Sequence, residues 1–177
     1  ALVYKPNQKF TNKLSLAKTY IKRVYAPTPL SGNTVKDNYF GGRYALTYSG
    51  NYNFNLDNSI VFGLEREDDQ IGYNKNMTGM TYKDAYVTSS YIDYQSRVTK
   101  NIFTTLGARF DEHSLSGNED SHRATLAYLF DDKTTKFKSS YGTGFRFPSL
   151  YELYFVSGAD ETSLKKVKAE TSKSFDI

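Results

Sequence analysis

Two histidines bracket one acidic stretch of this chain: His113 and His122 enclose Glu119 and Asp120, with Glu112 beside the first. Imidazoles and carboxylates are ordinary metal ligands, but a structural or catalytic centre needs a defined ligand spacing, and none is legible here. Solvated loop residues are the expectation. Glu67, Asp68 and Asp69 offer hard oxygen atoms to a calcium ion, yet the roughly 6–8 oxygens that such a site requires are not visible. Ser114 and Ser116 beside His113 raise hydrolytic chemistry. Sequence neighbours on a strand point to opposite faces, however, so an adjacent Ser–His pair is poorly placed for proton transfer. With no cysteine in the chain, a thiol nucleophile is impossible. The residues therefore predict no enzyme, no resident metal and no cofactor.

What remains is recognition. Arg43, Glu65, Arg109, Arg123 and Lys138 fall on the polar faces of expected strands, and Tyr73, Tyr82, Phe147 and Tyr151 fall in expected loops. Rigid aromatic rings in loops make good first contacts for a bulky ligand, although they pack against one another equally well. The net charge of +4 is modest and dispersed. The one dense basic run, 165–168, lies outside any expected strand, so no nucleic-acid partner is expected.

Those side chains must be positioned by strands. Sixteen Tyr and twelve Phe among 177 residues, with four Pro and no Trp, favour a pleated, half-buried surface. No apolar window of about 18 residues exists, which excludes a transmembrane helix. Mean hydropathy is negative, but a membrane barrel alternates lipid-facing apolar with lumen-facing polar residues and averages out in the same way. The clearest strand places Tyr44, Leu46, Tyr48, Gly50, Tyr52 and Phe54 on one face and Arg43, Ala45, Thr47, Ser49, Asn51 and Asn53 on the other. Further strands are expected at 10–25, 59–66, 85–98, 102–111, 123–130 and 134–142, with partial ones at each end.

Connection lengths sort by parity. Long polar loops are expected at 26–37, 67–83 and 112–121 and after the seventh full strand; short turns are expected at 55–58, 99–101 and 131–133. Short turns on one rim and long loops on the other are what an up-and-down outer-membrane barrel requires, and strands of roughly 9–14 residues suit a tilted crossing.

The seventh full strand runs into Gly142, Gly144, Phe145, Arg146, Pro148, Ser149, Glu152, Leu153 and Tyr154. This run resembles the Gly-x-Gly-Phe-Arg-x-Pro-Ser-x-x-Glu-Leu-Tyr signature of TonB-dependent outer-membrane receptors. The resemblance extends from about residue 44 to 177 and takes in Phe62-Gly63-Leu64-Glu65 and the segment 107–114. Beyond the signature, Leu164 and Glu170-Thr171-Ser172 resemble a second family segment, but its two prolines are missing and Ala169 stands where the second is expected.

The resemblance implies an all-β, antiparallel, up-and-down transmembrane barrel. About seven or eight strands of it would be present, of roughly 22 in plugged outer-membrane transporters. Residues 1–177 then read as an internal fragment of the barrel domain, without the plug, the signal segment or the remaining strands. The implied function is uptake of a bulky, scarce nutrient, vitamin B12 or another corrinoid, or a ferric siderophore. The implied partners are the TonB energy-coupling complex, acting through the absent plug, the small-molecule ligand and outer-membrane lipid. In the cobalamin-receptor branch acidic loops sometimes hold calcium, which is the context for Glu67–Asp69. Arg146 and Glu152 are expected to pin the signature loop. The lumen-facing charges are expected to be solvated inside the barrel, or to touch the plug or an anionic substrate. A passive porin and a soluble all-β binding module are the alternatives.

Overall fold

The computed structural model describes residues 1–25, 37–74, 79–156 and 167–177. Among the described residues nine strands form one antiparallel sheet in strict chain order: β1 (Leu2–Tyr4), β2 (Phe10–Tyr25), β3 (Asp37–Asn53), β4 (Asn58–Asn74), β5 (Thr81–Arg97), β6 (Ile102–His113), β7 (Gly117–Leu129), β8 (Lys136–Arg146) and β9 (Glu170–Asp176). Every strand pairs with its neighbour in sequence. One π-helical turn, Glu152–Val156, follows β8.

Side-chain alternation sets the register. Leu14 and Leu16 of β2 lie opposite Tyr48 and Leu46 of β3, and Tyr48 lies opposite Leu64 of β4. The same face continues through Ile92 and Tyr94 of β5, Leu106 and Ala108 of β6, Ala124 of β7, Tyr141 of β8 and Phe175 of β9. A one-residue slip would send each of these to the other face, so the apolar positions specify the pairing jointly.

Nothing covers this band among the described residues. Leu16 is 77% exposed, Leu64 60% and Leu106 56%, while the buried apolar side chains are Ala85, Leu150 and Leu153 alone. A single-layer sheet with one continuous bare apolar face is a wall built to meet a greasy environment. At the rim with tight turns the band ends in aromatic pairs, Phe10–Tyr52 and Tyr52–Phe54 with centroids 6.1 and 5.1 Å apart, and Tyr128–Phe130 at 4.9 Å.

The far rim differs from the sequence expectation. β3, β4 and β5 each run 17 residues, longer than the roughly 9–11 needed for a tilted crossing. The expected loop 67–83 is mostly strand, and so is 112–121: β6 reaches His113 and β7 resumes at Gly117, leaving a turn of three residues at 114–116. Loop parity therefore fails at this hairpin. Outside a hydrocarbon band a ladder can carry polar residues on both faces, so the alternation fades while the pairing continues. Arg66, Asp68 and Gln70 extend the apolar face of β4, and Glu67 and Asp69 extend the other. Gly117, at φ +84°, closes the turn. The expected loop 26–37 falls, except for Asp37 in β3, outside the described residues, as does 157–166 with Leu164 and most of the basic run.

Candidate functional site

The far half of the polar face carries a network of ion pairs. Arg43 of β3 donates from Nε and Nη2 to the two carboxylate oxygens of Asp69 at 2.6 and 2.7 Å, and its Nη1 lies 2.9 Å from Glu67. Both acids belong to β4 and stand on the same face because they are two residues apart. Two strands further on, Arg109 of β6 donates from Nε to both oxygens of Asp111 at 3.0 Å and from Nη2 to Ser89 Oγ at 2.8 Å. Ser89 Oγ donates to Asp111 Oδ1 at 2.5 Å, and Glu65 sits 3.6 Å from Arg109. Ser89 and Asp111 are buried, at 3% and 2% exposure. Two arginines thus face four carboxylates. Nearer the tight turns, Arg123 lies 3.4 Å from Asp93.

Above this network folds the segment after β8. Arg146 holds Glu152 at 2.9 Å and Glu170 at 3.1 Å. Glu152 also accepts from Ser149 N at 2.7 Å and from Ser149 Oγ at 2.8 Å, while Ser149 Oγ accepts from Glu152 N at 3.2 Å. This reciprocal cap fixes the turn that Pro148 starts, and Leu153 is completely buried beneath it. Phe147 packs on the ring of His113 with centroids 4.9 Å apart. His113 stands past the end of the apolar band; its Nδ1 accepts backbone N–H groups of Leu115 and Ser116 at 3.0 and 3.1 Å. Burial pushes its pKa down, so a neutral imidazole holds the hairpin. The segment and the sheet enclose a cleft of about 820 Å³, bounded by Arg43, Asp69, Arg109, His113, Phe147 and Tyr151 among others.

A family model described as TonB dependent receptor-like, beta-barrel, matches residues 2–177. The chain belongs to that family. Among solved structures, the siderophore receptor PirA from Acinetobacter baumannii is similar to this receptor barrel, with a TM-score of 0.60 and 18% identity, covering 81% of this chain and 24% of that one. The likeness concerns the fold, and the chain spans about a quarter of that receptor's length. None of the curated proteins matches.

The receptor barrel sorts the residues singled out from sequence. Arg43, Glu65, Arg109, Arg123 and Lys138 share one face of the sheet. Gly142, Gly144, Phe145 and Arg146 end β8, and Pro148, Ser149, Glu152, Leu153 and Tyr154 form the folded segment. Of the four expected loop aromatics, Phe147 and Tyr151 line the cleft. Tyr73 and Tyr82 are corrected: they lie in β4 and β5, and the register puts them on opposite faces. The acidic run also divides, for Asp68 pairs with Arg66 at 3.0 Å on the apolar side. His113 and His122 face opposite ways, His122 meeting Asp120 at 2.7 Å. No group of three metal-ligating residues occurs among the described residues. Sequence reading missed Ser89 and Asp111. Glu65-x-Glu67-x-Asp69 was visible as one face, had the alternation been carried past residue 66.

The signature turn gives the receptor a pH-dependent element. Arg146 first, then Ser149 N and Oγ, hold the Glu152 carboxyl down at about 2, against an ordinary value of 4.5. Because the folded value is depressed, the anchorage is complete above about pH 4.5 and lost as pH falls toward 2. Amide exchange at Ser149 and Leu153 should therefore accelerate across that window after correction for intrinsic rates, and Glu152→Gln should flatten the dependence.

Proposed function

We propose that this chain is part of the wall of an active outer-membrane receptor for a bulky, scarce nutrient, a ferric siderophore or a corrinoid. The apolar band faces lipid, and the polar face lines a lumen that holds a plug on which the TonB complex pulls. The observation that carries this reading is the single-layer sheet, bare and apolar on one side and ion-paired on the other, in a family member. Its two edge strands need further strands beside them in a bilayer, because lipid cannot satisfy open backbone groups. Residues 1–177 accordingly belong inside a larger barrel.

Within the receptor, Phe147 and Tyr151 offer ring surface to a ligand at the cleft, with Tyr73 further along the same face toward the outer rim, while Tyr82 stands on the outward face. Arg43 and Arg109 are already engaged by carboxylates, which supports a wall or plug-contact role for them over capture of an anion. Lys138, without an ion pair among the described residues, is a lumen cation.

A strain lacking the intact gene tests the assignment. Growth on limiting cobalamin or on chelated iron should fail for one of the two, and restored uptake should require the proton-motive force. A passive porin would keep transporting after the force is collapsed. Unchanged growth on both nutrients would remove both substrates.

A further inference from the structure

We infer that His113 is a proton-sensitive latch: uncharged, it seats the signature segment on the β6–β7 hairpin at the wall of the cleft, and on gaining a proton it releases both. The inference needs only the fold and stands apart from the transport reading.

His113 ends β6, in one row with Glu67 of β4, Val87 of β5 and Gly117 of β7. The three-residue turn that follows closes on its side chain. Nδ1 accepts the N–H groups of both Leu115 and Ser116, at 3.0 and 3.1 Å. Ser116 Oγ, buried in the same turn, has no hydrogen-bond partner among the described residues. Ser114 ties the turn to β5, donating from N to Tyr86 O at 2.9 Å and accepting from Tyr86 N through Oγ at 3.0 Å. The same imidazole carries the signature segment. Phe147 packs on the ring at 4.9 Å between centroids, and Phe145 backs Phe147 at 5.0 Å. One side chain, 7% exposed, thus joins the hairpin to the segment.

A ring nitrogen that accepts two N–H groups must carry a lone pair, so this arrangement belongs to the neutral imidazole with its proton on Nε2. Protonation puts an N–H on Nδ1, aimed at two other N–H groups, and both hydrogen bonds are lost together. The new charge also finds few open partners. Glu67 and Asp69 of β4 are taken by Arg43 of β3, and Arg109 and Asp111 of β6 by each other. Lys83 of β5 lies 4.7 Å from the centre of the Tyr154 ring, Glu119 of β7 stands opposite Asp111, and Arg146 and Glu152 hold one another. Burial pushes the His113 pKa down, and Asp69 pulls it back less strongly. Attraction of an imidazolium to the Phe147 ring acts in the same direction as Asp69, but neither restores the two amides. The opened turn therefore binds the proton more tightly than the closed one. With the folded value depressed, the latch holds fully above the ordinary histidine value of 6.5 and weakens as pH falls below it. One proton sets a ceiling of about ten-fold in opening for each pH unit. This window lies above the one in which Glu152 titrates.

The test is hydrogen exchange of the full receptor in detergent micelles, without nutrient, read on peptides covering 113–117 and 147–154 from about pH 7.5 to about pH 5.5 and corrected for intrinsic rates. Opening of both regions should rise together, by about three-fold to ten-fold over the unit below pH 6.5, while the β3–β4 ladder keeps its protection. His113→Asn keeps an acceptor where Nδ1 stands and cannot gain a proton, so its turn should exchange at a rate independent of pH. His113→Phe keeps a ring for Phe147 but no acceptor, and its turn should open at every pH. His122→Asn, on the outward face, should leave the parent profile unchanged. A parent profile that is flat over this range overturns the inference and needs no variant to fold. So does an acid-dependent rise that survives in His113→Asn, or one confined to 113–117 while 147–154 stays protected. No ligand enters the measurement, so absent nutrient uptake would reject the proposed function and leave the latch in place.

Discussion

Replacing Arg109 with methionine should lower the unfolding free energy of the receptor barrel by about 1–3 kcal/mol, the cost of leaving a buried carboxylate without its half-exposed guanidinium partner. The stranded group is Asp111, whose side chain is 3% exposed. It accepts three short contacts from the Arg109 guanidinium, two from Nε at 3.0 Å and one from Nη2 at 2.9 Å. Without them it keeps a single hydroxyl donor, Ser89 at 2.5 Å, and that hydroxyl loses its own donor from Arg109. A carboxylate is acceptor-only, so nothing else nearby repairs the loss. Glu65, at 3.6 Å from Arg109, would add an unbalanced negative charge. The double variant Arg109→Met with Asp111→Asn should recover most of the stability, since an amide carries no charge to desolvate. Arg109→Lys should fall between, because an ammonium cannot reproduce the planar fork. Denaturant unfolding of the full receptor in lipid vesicles measures all three. A loss of less than about 1 kcal/mol for the methionine variant, the range of exposed pairs, would mean that the Asp111 carboxylate is wet.

Legibility in the sequence followed the solvent. Where one face meets lipid and the other water, apolar and polar residues must alternate, so Tyr44–Tyr52, Ile60–Leu64 and Leu106–Phe110 could be assigned to faces by eye. Past Leu64 and Phe110 both faces are wet, the alternation loses its cause, and polar strand becomes indistinguishable from loop. That is why Glu67–Asp69 and Glu112–Ser121 read as loops and why Tyr73 and Tyr82 were placed in them. The ion-pair network was half legible for a related reason: the side of the sheet that each charge occupies follows from period two, whereas the pairing of Arg109 with Asp111, on its own strand, and with Ser89 across the ladder depends on register and rotamer. The signature turn was legible through the family resemblance, which marked Arg146 and Glu152 as its pins, whereas the reciprocal cap of Ser149 and Glu152 shows in the structure.

The hydrophobic part of that turn sets the second large effect. Leu153 is the one large side chain with no exposure at all among the described residues, and truncating a buried leucine to alanine costs about 2–5 kcal/mol. The cost should fall on the segment 147–154 rather than on the barrel, because the sheet's ladders from β2 to β8 close without it. Local opening is then favoured by roughly thirty-fold or more, which is the factor by which amide exchange should accelerate where opening limits it. The reporting amides are Leu153 N, which donates to Ser149 O at 3.0 Å, and Ser149 N, which donates to Glu152 at 2.7 Å. Amides in the β3–β4 ladder should keep their protection in Leu153→Ala. Glu152→Gln should speed the same loop amides less, since it weakens an exposed anchor and leaves the buried one in place. Phe147 and Tyr151 ride on this segment, so a ligand that needs them must hold the turn closed. Adding that ligand should slow exchange more in Leu153→Ala than in the parent, because only in the variant is a large fraction of the segment open for it to close. Unchanged protection at Ser149 and Leu153 in the alanine variant would show that the ion pairs of Arg146, and not the leucine, seat the turn.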